Sequence, residues 1–209
     1  LTDPRLRTDE GILPGITPLI DMGTHCPEWK AYLAGLGYSV PDSDGATYGQ
    51  RDEDYRNPDH PKPMLYDAAH TDTAFLISRA RQYIGEQSHP WAVPLSLRAP
   101  HPPWVAPAPF NEQYDPASLP VCVRHDSPEA EAAVHPWLGE HLVGRNVSHA
   151  VDARHRHLQA SYYGLMSEVD ARVGDLVAWL KAEGQWDDTL FIFTSDHGEQ
   201  MGDHWMYGK

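Results

Sequence analysis

A chain of 209 residues, 41% apolar and 22% charged, has the balance of a protein that folds around a core, which excludes the disordered and fibrous classes. Its formal net charge of −14, with Asp and Glu scattered rather than blocked, excludes a nucleic-acid backbone as the main partner. A small anionic substrate stays open, because a pocket can gather a cation, Lys and His while the remaining surface is acidic.

No window approaches the roughly eighteen uncharged apolar residues of a membrane span, and LTDPRLRTDEG at the start lacks the apolar stretch of a signal peptide, so no membrane partner is expected. Both a cytoplasmic and a periplasmic home in a bacterium are compatible with this, as are a monomer and a homo-oligomer. Cys26 and Cys122 have no ligand-like spacing, and two free thiols are expected rather than a disulfide framework.

Along the chain, residues 1–70 read as largely irregular, rich in Pro, Gly and Asp, with one short helix from about Glu28 to Leu36. Trp29, Tyr32, Leu33 and Leu36 share its face, and Gly37 is placed to end it. Gly45 to Lys62 has no apolar run and reads as a solvated loop. A second helix is expected from Thr71 or Asp72, either of which can cap it, to about Gln87, with Leu76, Ala80, Tyr83 and Ile84 inward. Trp91 to Leu97 reads as a buried strand, although Pro94 removes one ladder donor. The stiff Pro-rich stretch APHPPWVAPAPF follows it.

The strongest helical pattern runs from about Val151 to Glu183, where Leu158, Tyr162, Leu165, Met166, Val169, Val173, Leu176, Val177 and Leu180 recur at spacings of three and four. Gly184 supplies the stop, and Thr189 to Thr194 is an all-apolar strand leading into Ser195-Asp196-His197-Gly198. Helix, tight turn, buried strand and polar loop make the unit of a doubly wound α/β sheet. Ligands in such sheets bind beyond the carboxyl ends of strands, where His101 and Asp196-His197 both lie.

Asp196 and His197 offer a hard carboxylate oxygen and an imidazole nitrogen side by side. Consecutive strand side chains point to opposite faces, so the two can share an ion only if the backbone turns there, which Gly198 permits. Glu199, Asp203, His204 and Lys209 add a density of ionisable groups that no core-building segment needs. Asp170 sits beside the apolar stripe of its helix and is assigned a structural role. His125, His135, His141, His149, His155 and His157 share no spacing and are read as solvated.

TLFIFTSDHGEQMGDHWMYGK resembles the second metal-binding motif of the sulfatase branch of the alkaline phosphatase superfamily, and is most similar to phosphonate monoester hydrolases. RAPHPPW resembles a second hallmark of that family, and SEVDARVG and GQWDDTLFIFTSDHGE extend the likeness. The resemblance implies a three-layer α/β/α alkaline-phosphatase-like domain. Residues 1–209 would be part of that single catalytic domain, with 71–209 carrying the site. It implies Asp196 and His197 as metal ligands, Lys209 on the oxygens of a small anionic ester, and His101 on substrate or leaving group. His204 is a candidate to support the metal site by hydrogen-bonding behind its ligands. A divalent cation, Mn or Ca rather than Zn, suits oxygen-rich ligation.

Members of that family use a nucleophile made from Cys or Ser in a Cys/Ser-x-Pro-x-Arg pattern, oxidised to formylglycine. Cys26-Pro27, Cys122-Val123-Arg124 and Ser88-His89-Pro90-Trp91-Ala92 all depart from it, and no nucleophile is assigned within the chain. With only two convincing strands, the expectation is a portion of a longer phosphonate, phosphate or sulfate ester hydrolase. The alternative is a noncatalytic metal-binding or interaction module on the same fold.

Overall fold

The computed structural model describes residues 16–20, 22, 26–41, 47–48, 63–144 and 153–209. Most of the Gly45–Lys62 loop, His149 and the first residues expected of the long helix lie outside them. The chain divides into two compact units, Leu1–Thr47 and Tyr48–Lys209.

In the first unit, helix α1 spans Pro27–Gly35, with Pro27 in the first turn, where a missing amide costs nothing. Trp29 and Leu33 are buried, whereas Leu36, expected on the same face, is exposed. The helix ends where Gly37 takes φ 88° and the Tyr38 amide returns to the Leu33 carbonyl, a left-handed stop that a Cβ would strain.

The second unit is organised by α2 (Asp72–Glu86) and α5 (Ala153–Ala182), with the short α3 (Pro128–Ala132) and α4 (Pro136–Gly144) between them. Thr71 caps α2 by accepting the Ala74 amide at 3.1 Å. Ile77 and Ile84 of α2 meet Leu176 and Leu180 of α5 in a core onto which Trp91, Val93, Leu95 and Phe191 also pack. The two segments expected as strands therefore lie extended over the same helix pair.

Trp91–Leu97 alternates half-buried and exposed residues, the period-two pattern of a strand with one covered face. In the second segment Phe191 packs inward, but Leu190, Ile192 and Phe193 are 85%, 74% and 71% exposed. Neither segment forms a β-ladder among the described residues. The expectation of fully buried strands is corrected here for a physical reason. Burial on both faces needs neighbouring strands and a second helix layer, and α2 and α5 supply one layer only.

Helix α5 also departs from its apolar pattern. Leu165, Val169, Leu176 and Leu180 are buried as expected, but Met166 is exposed and His155, Gln159, Ser161 and Glu168 are buried in its place. Ser161 accepts the Ala106 amide at 3.2 Å and donates to the Trp104 carbonyl at 2.7 Å, fastening the Pro-rich loop to the helix. Trp104, Ala106, Leu165 and Met201 then form a core cluster that joins this loop, α5 and the C-terminal segment.

Both cysteines are free thiols. Among the described residues no helix is long and apolar enough to cross a membrane.

The closest approach of loop and helix falls at Gly164, where a Cβ would lie 2.5 Å from the Phe110 carbonyl oxygen and 3.0 Å from the Ala106 Cβ. Backbone cannot yield as a side-chain tip can, so Gly164→Ala is expected to destabilise the fold by about 1–3 kcal/mol in urea unfolding. A variant as stable as the parent would show that the loop is not held this tightly.

Candidate functional site

Where the second extended segment ends, the backbone folds onto its own side chains. Ser195 Oγ donates to the His197 carbonyl at 2.6 Å, and the His197 amide donates to Asp196 Oδ1 at 2.9 Å. This local turn brings two side chains that a strand would separate onto one side, with His197 Nε2 3.3 Å from Asp196 Oδ2. Asp196 is 84% exposed, and the His197 ring is half-exposed.

The chain then loops out through residues 199–207 and returns. Gly202 adopts φ 97°, the Gly202 amide reaches the Met206 carbonyl at 2.7 Å, and the Gln200 amide reaches the Gly208 carbonyl at 3.1 Å. The Glu199 carboxylate accepts the Gly208 amide, closing the base of the arm. Lys209 is thereby delivered to His197, with Nζ 2.8 Å from Nε2.

The contact fits the tautomer in which Nε2 accepts from the ammonium and Nδ1 donates to the Gly198 carbonyl at 2.8 Å. In that tautomer His197 presents a lone pair beside a carboxylate oxygen. Cis ligands around a small divalent cation stand roughly 3 Å apart, so this pair fits a shared ion, and the Gly198 bond is the kind of outer contact that orients a ligating histidine. Two protein ligands make an incomplete set. Among the described residues no group of three or more His, Cys, Asp or Glu could hold a metal ion.

Among the described residues no hydrogen bond joins His101 to this trio. Its Nδ1 meets the Pro102 carbonyl at 2.8 Å, and its ring lines a cavity of ≈ 10 Å³ with Tyr48, Asp72, Arg98, Leu165 and Glu168. His204 is held by Glu131, Nδ1 to Oε1 at 2.8 Å, and Asp203 accepts the Val123 amide at 2.7 Å. Both fasten residues 123–125, and neither is hydrogen-bonded to Asp196 or His197. Asp170 is exposed.

A roomier cavity of ≈ 310 Å³ is walled by the arm itself, through Glu199, Met201 and Asp203, and by Tyr162, Tyr163 and Met166 of α5. This volume lies at the lower edge of the roughly 300–1,000 Å³ typical of small-molecule sites.

Of the acids behind His101, the sequence singles out Asp72 only as a candidate helix cap and does not single out Glu168. Glu168 is 1% exposed and accepts the Thr71 hydroxyl at 2.7 Å; Asp72 is buried and accepts the Tyr48 hydroxyl at 3.1 Å. Burial pushes the Glu168 carboxyl up to about 7, opposed by the Thr71 hydroxyl and reinforced by Asp72. Burial also raises Asp72 against the Tyr48 hydroxyl, the Thr73 amide and Arg98. The available signal was spacing: Glu168 lies three residues after Leu165, on the apolar stripe, whereas Asp170 falls off it.

The sign of the linkage follows. Between about pH 4.5 and 7 the unfolded chain has released the Glu168 proton while the folded chain retains it, so stability falls as pH rises through that window and levels off above it. The loss is expected to reach up to roughly 3 kcal/mol. Urea midpoints measured across this range should show the slope, and Glu168→Gln should flatten it. An equal slope in the variant would remove Glu168 as its source.

A family profile described as Sulfatase matches residues 25–209. The chain is 33% identical over 219 aligned residues to the multifunctional alkaline phosphatase superfamily protein PehA of Trinickia caryophylli, covering 99% of this chain and 43% of that protein. It is 27% identical over 159 residues to a choline-sulfatase of Rhizobium meliloti, covering 70% of this chain and 29% of that protein. Among solved structures it superposes on a phosphonate monoester hydrolase of Agrobacterium radiobacter with TM-score 0.80 and 34% identity, covering 100% of this chain and 43% of that one. The same enzyme class from Silicibacter pomeroyi gives TM-score 0.82 at 34% identity and the same coverage. The chain thus spans less than half the length of these relatives.

Proposed function

Because the chain belongs to the sulfatase family, with an alkaline-phosphatase-like fold, we propose that it carries the metal- and anion-contacting part of a hydrolase for phosphonate or phosphate esters, with sulfate esters the near alternative. The observation that carries this reading is the Asp196–His197–Lys209 cluster, where a ligand-ready imidazole, a carboxylate and an ammonium converge on one exposed point.

Hydrolysis of such an ester spreads negative charge over the non-bridging oxygens and the departing oxygen. Asp196 and His197 would hold a divalent cation, Mn or Ca by the hardness of the donors, and that cation would supply Lewis-acid stabilisation of the anion. Lys209 holds a fixed positive charge beside it and binds the ester oxygens. Its contact with Nε2 exchanges for those oxygens once the imidazole lone pair is engaged.

His101 contributes a proton at the leaving oxygen, a role typically worth about a hundredfold or more. The nucleophile is expected outside these 209 residues. The second reading, a noncatalytic metal-binding or interaction module on the same fold, differs in showing no turnover in the full-length protein.

In that full-length protein, Asp196→Ala should remove bound metal and hydrolysis together, with metal content measured by plasma mass spectrometry; unchanged metal content would dismiss the ligand assignment. Lys209→Ala should lower kcat/KM for anionic esters roughly 10- to 150-fold, the range expected for losing a charge-assisted hydrogen bond. Metal that binds without any turnover of phosphonate, phosphate or sulfate esters would establish the second reading.

A further inference from the structure

The arm that ends in Lys209 is anchored away from the candidate site by a buried polar chain that the proposed chemistry does not use. His155, in the first turn of α5, is 3% exposed, although its spacing marked it as solvated. Both its ring nitrogens are engaged: Nε2 lies 2.7 Å from Cys122 Sγ, and Nδ1 lies 2.5 Å from the Tyr207 hydroxyl.

The backbone of the arm rests on the same ring. A Cβ added at Gly202 would collide with His155 Cε1, so only glycine lets the chain pass there. One helical turn on, Gln159 Nε2 donates to the Met201 carbonyl at 3.4 Å and to Cys122 Sγ at 3.5 Å. Tyr207 packs its ring on Trp104 at 5.8 Å and on His155 at 5.5 Å. Only Gly208 separates Tyr207 from Lys209.

We propose that Cys122, His155 and Tyr207 form a hydrogen-bonded relay that sets the position of Lys209, with His155 the positioning residue at its centre. The proposal rests on the reading of Lys209 given above. Burial pushes the Cys122 thiol up, against the pull of Arg124, so the sulfur keeps its proton. The thiol then donates to Nε2, and the Nδ1 proton goes to the Tyr207 oxygen, giving a chain with one direction. An apolar side chain at position 155 could fill the same space beside Gly202 and the Tyr207 ring. It could not choose the orientation of Tyr207, because dispersion contacts carry no direction and hydrogen bonds do.

The test uses the full-length protein and two readouts. Tyr207→Phe keeps the ring in its apolar contacts and deletes only the hydroxyl. Hydrogen exchange of amides within residues 199–209 should rise about fivefold, and KM for a chromogenic aryl phosphonate monoester should rise by a similar factor with kcat held within about twofold. Cys122→Ala should reproduce both effects, while Cys122→Ser, which keeps a donor, should restore the parent values. In a Lys209→Ala background Tyr207→Phe should leave KM unmoved, because residues acting through one another are not additive.

Unchanged exchange in residues 199–209 overturns the relay, and so does an additive KM effect in the double variant. If the parent protein hydrolyses no ester, the functional reading fails, and the exchange measurement alone decides the relay.

Discussion

Two loops of different sequence and origin are held to one helix, and the rest of the candidate site depends on that shared anchorage. Ser161 on α5 grips the Pro-rich loop through the Trp104 carbonyl and the Ala106 amide, and Leu165 packs between Trp104 and Met201. His155 and Gln159, on the preceding turns, grip the C-terminal arm. A helix is stiff over this length, so His101 and Lys209 inherit a common frame although no bond joins them. The close passage of Gly164 beside Phe110 sets how near the first loop can come.

Within that frame the arm does two things. It returns a cation to an imidazole whose other nitrogen meets the Gly198 carbonyl, and it walls the larger cavity with Glu199, Met201 and Asp203. The acidic average of the chain and the cationic tip of the arm are reconciled by distance: local charge governs an anion's binding once the ligand is within a Debye length, about 8 Å at physiological salt. The buried acids Asp72 and Glu168 stand behind His101, where the neutral form of Glu168 limits the cost of burying charge.

The bare side of the two extended segments shows how strongly strand burial depends on neighbours. Leu190 and Ile192 carry the composition of a central strand, yet they meet solvent because α2 and α5 cover one face. The Asp196–His197 pair has the same character: on the proposed metal reading it would supply two ligands and leave the other coordination positions to further donors.

From the residues alone came the helices α1, α2 and α5 and the extended course of the two apolar segments, and from the family resemblance of the motif came the nomination of Asp196, His197 and Lys209. These are local properties: a period of three and four, an apolar run before a turn, and a motif whose members lie within a few residues. The clustering of those three is seen only in the folded arm, because a left-handed turn at Gly202 and the Glu199–Gly208 bond bring Lys209 back. Tertiary packing alone decided that His155 and Glu168 are buried and that Met166 and Asp170 are not. A helical stripe tells which residues share a face, but not which stretch of that face another segment will cover. A polar side chain on the stripe reads as solvated until its partner, Cys122, Tyr207 or Thr71, arrives from far along the chain.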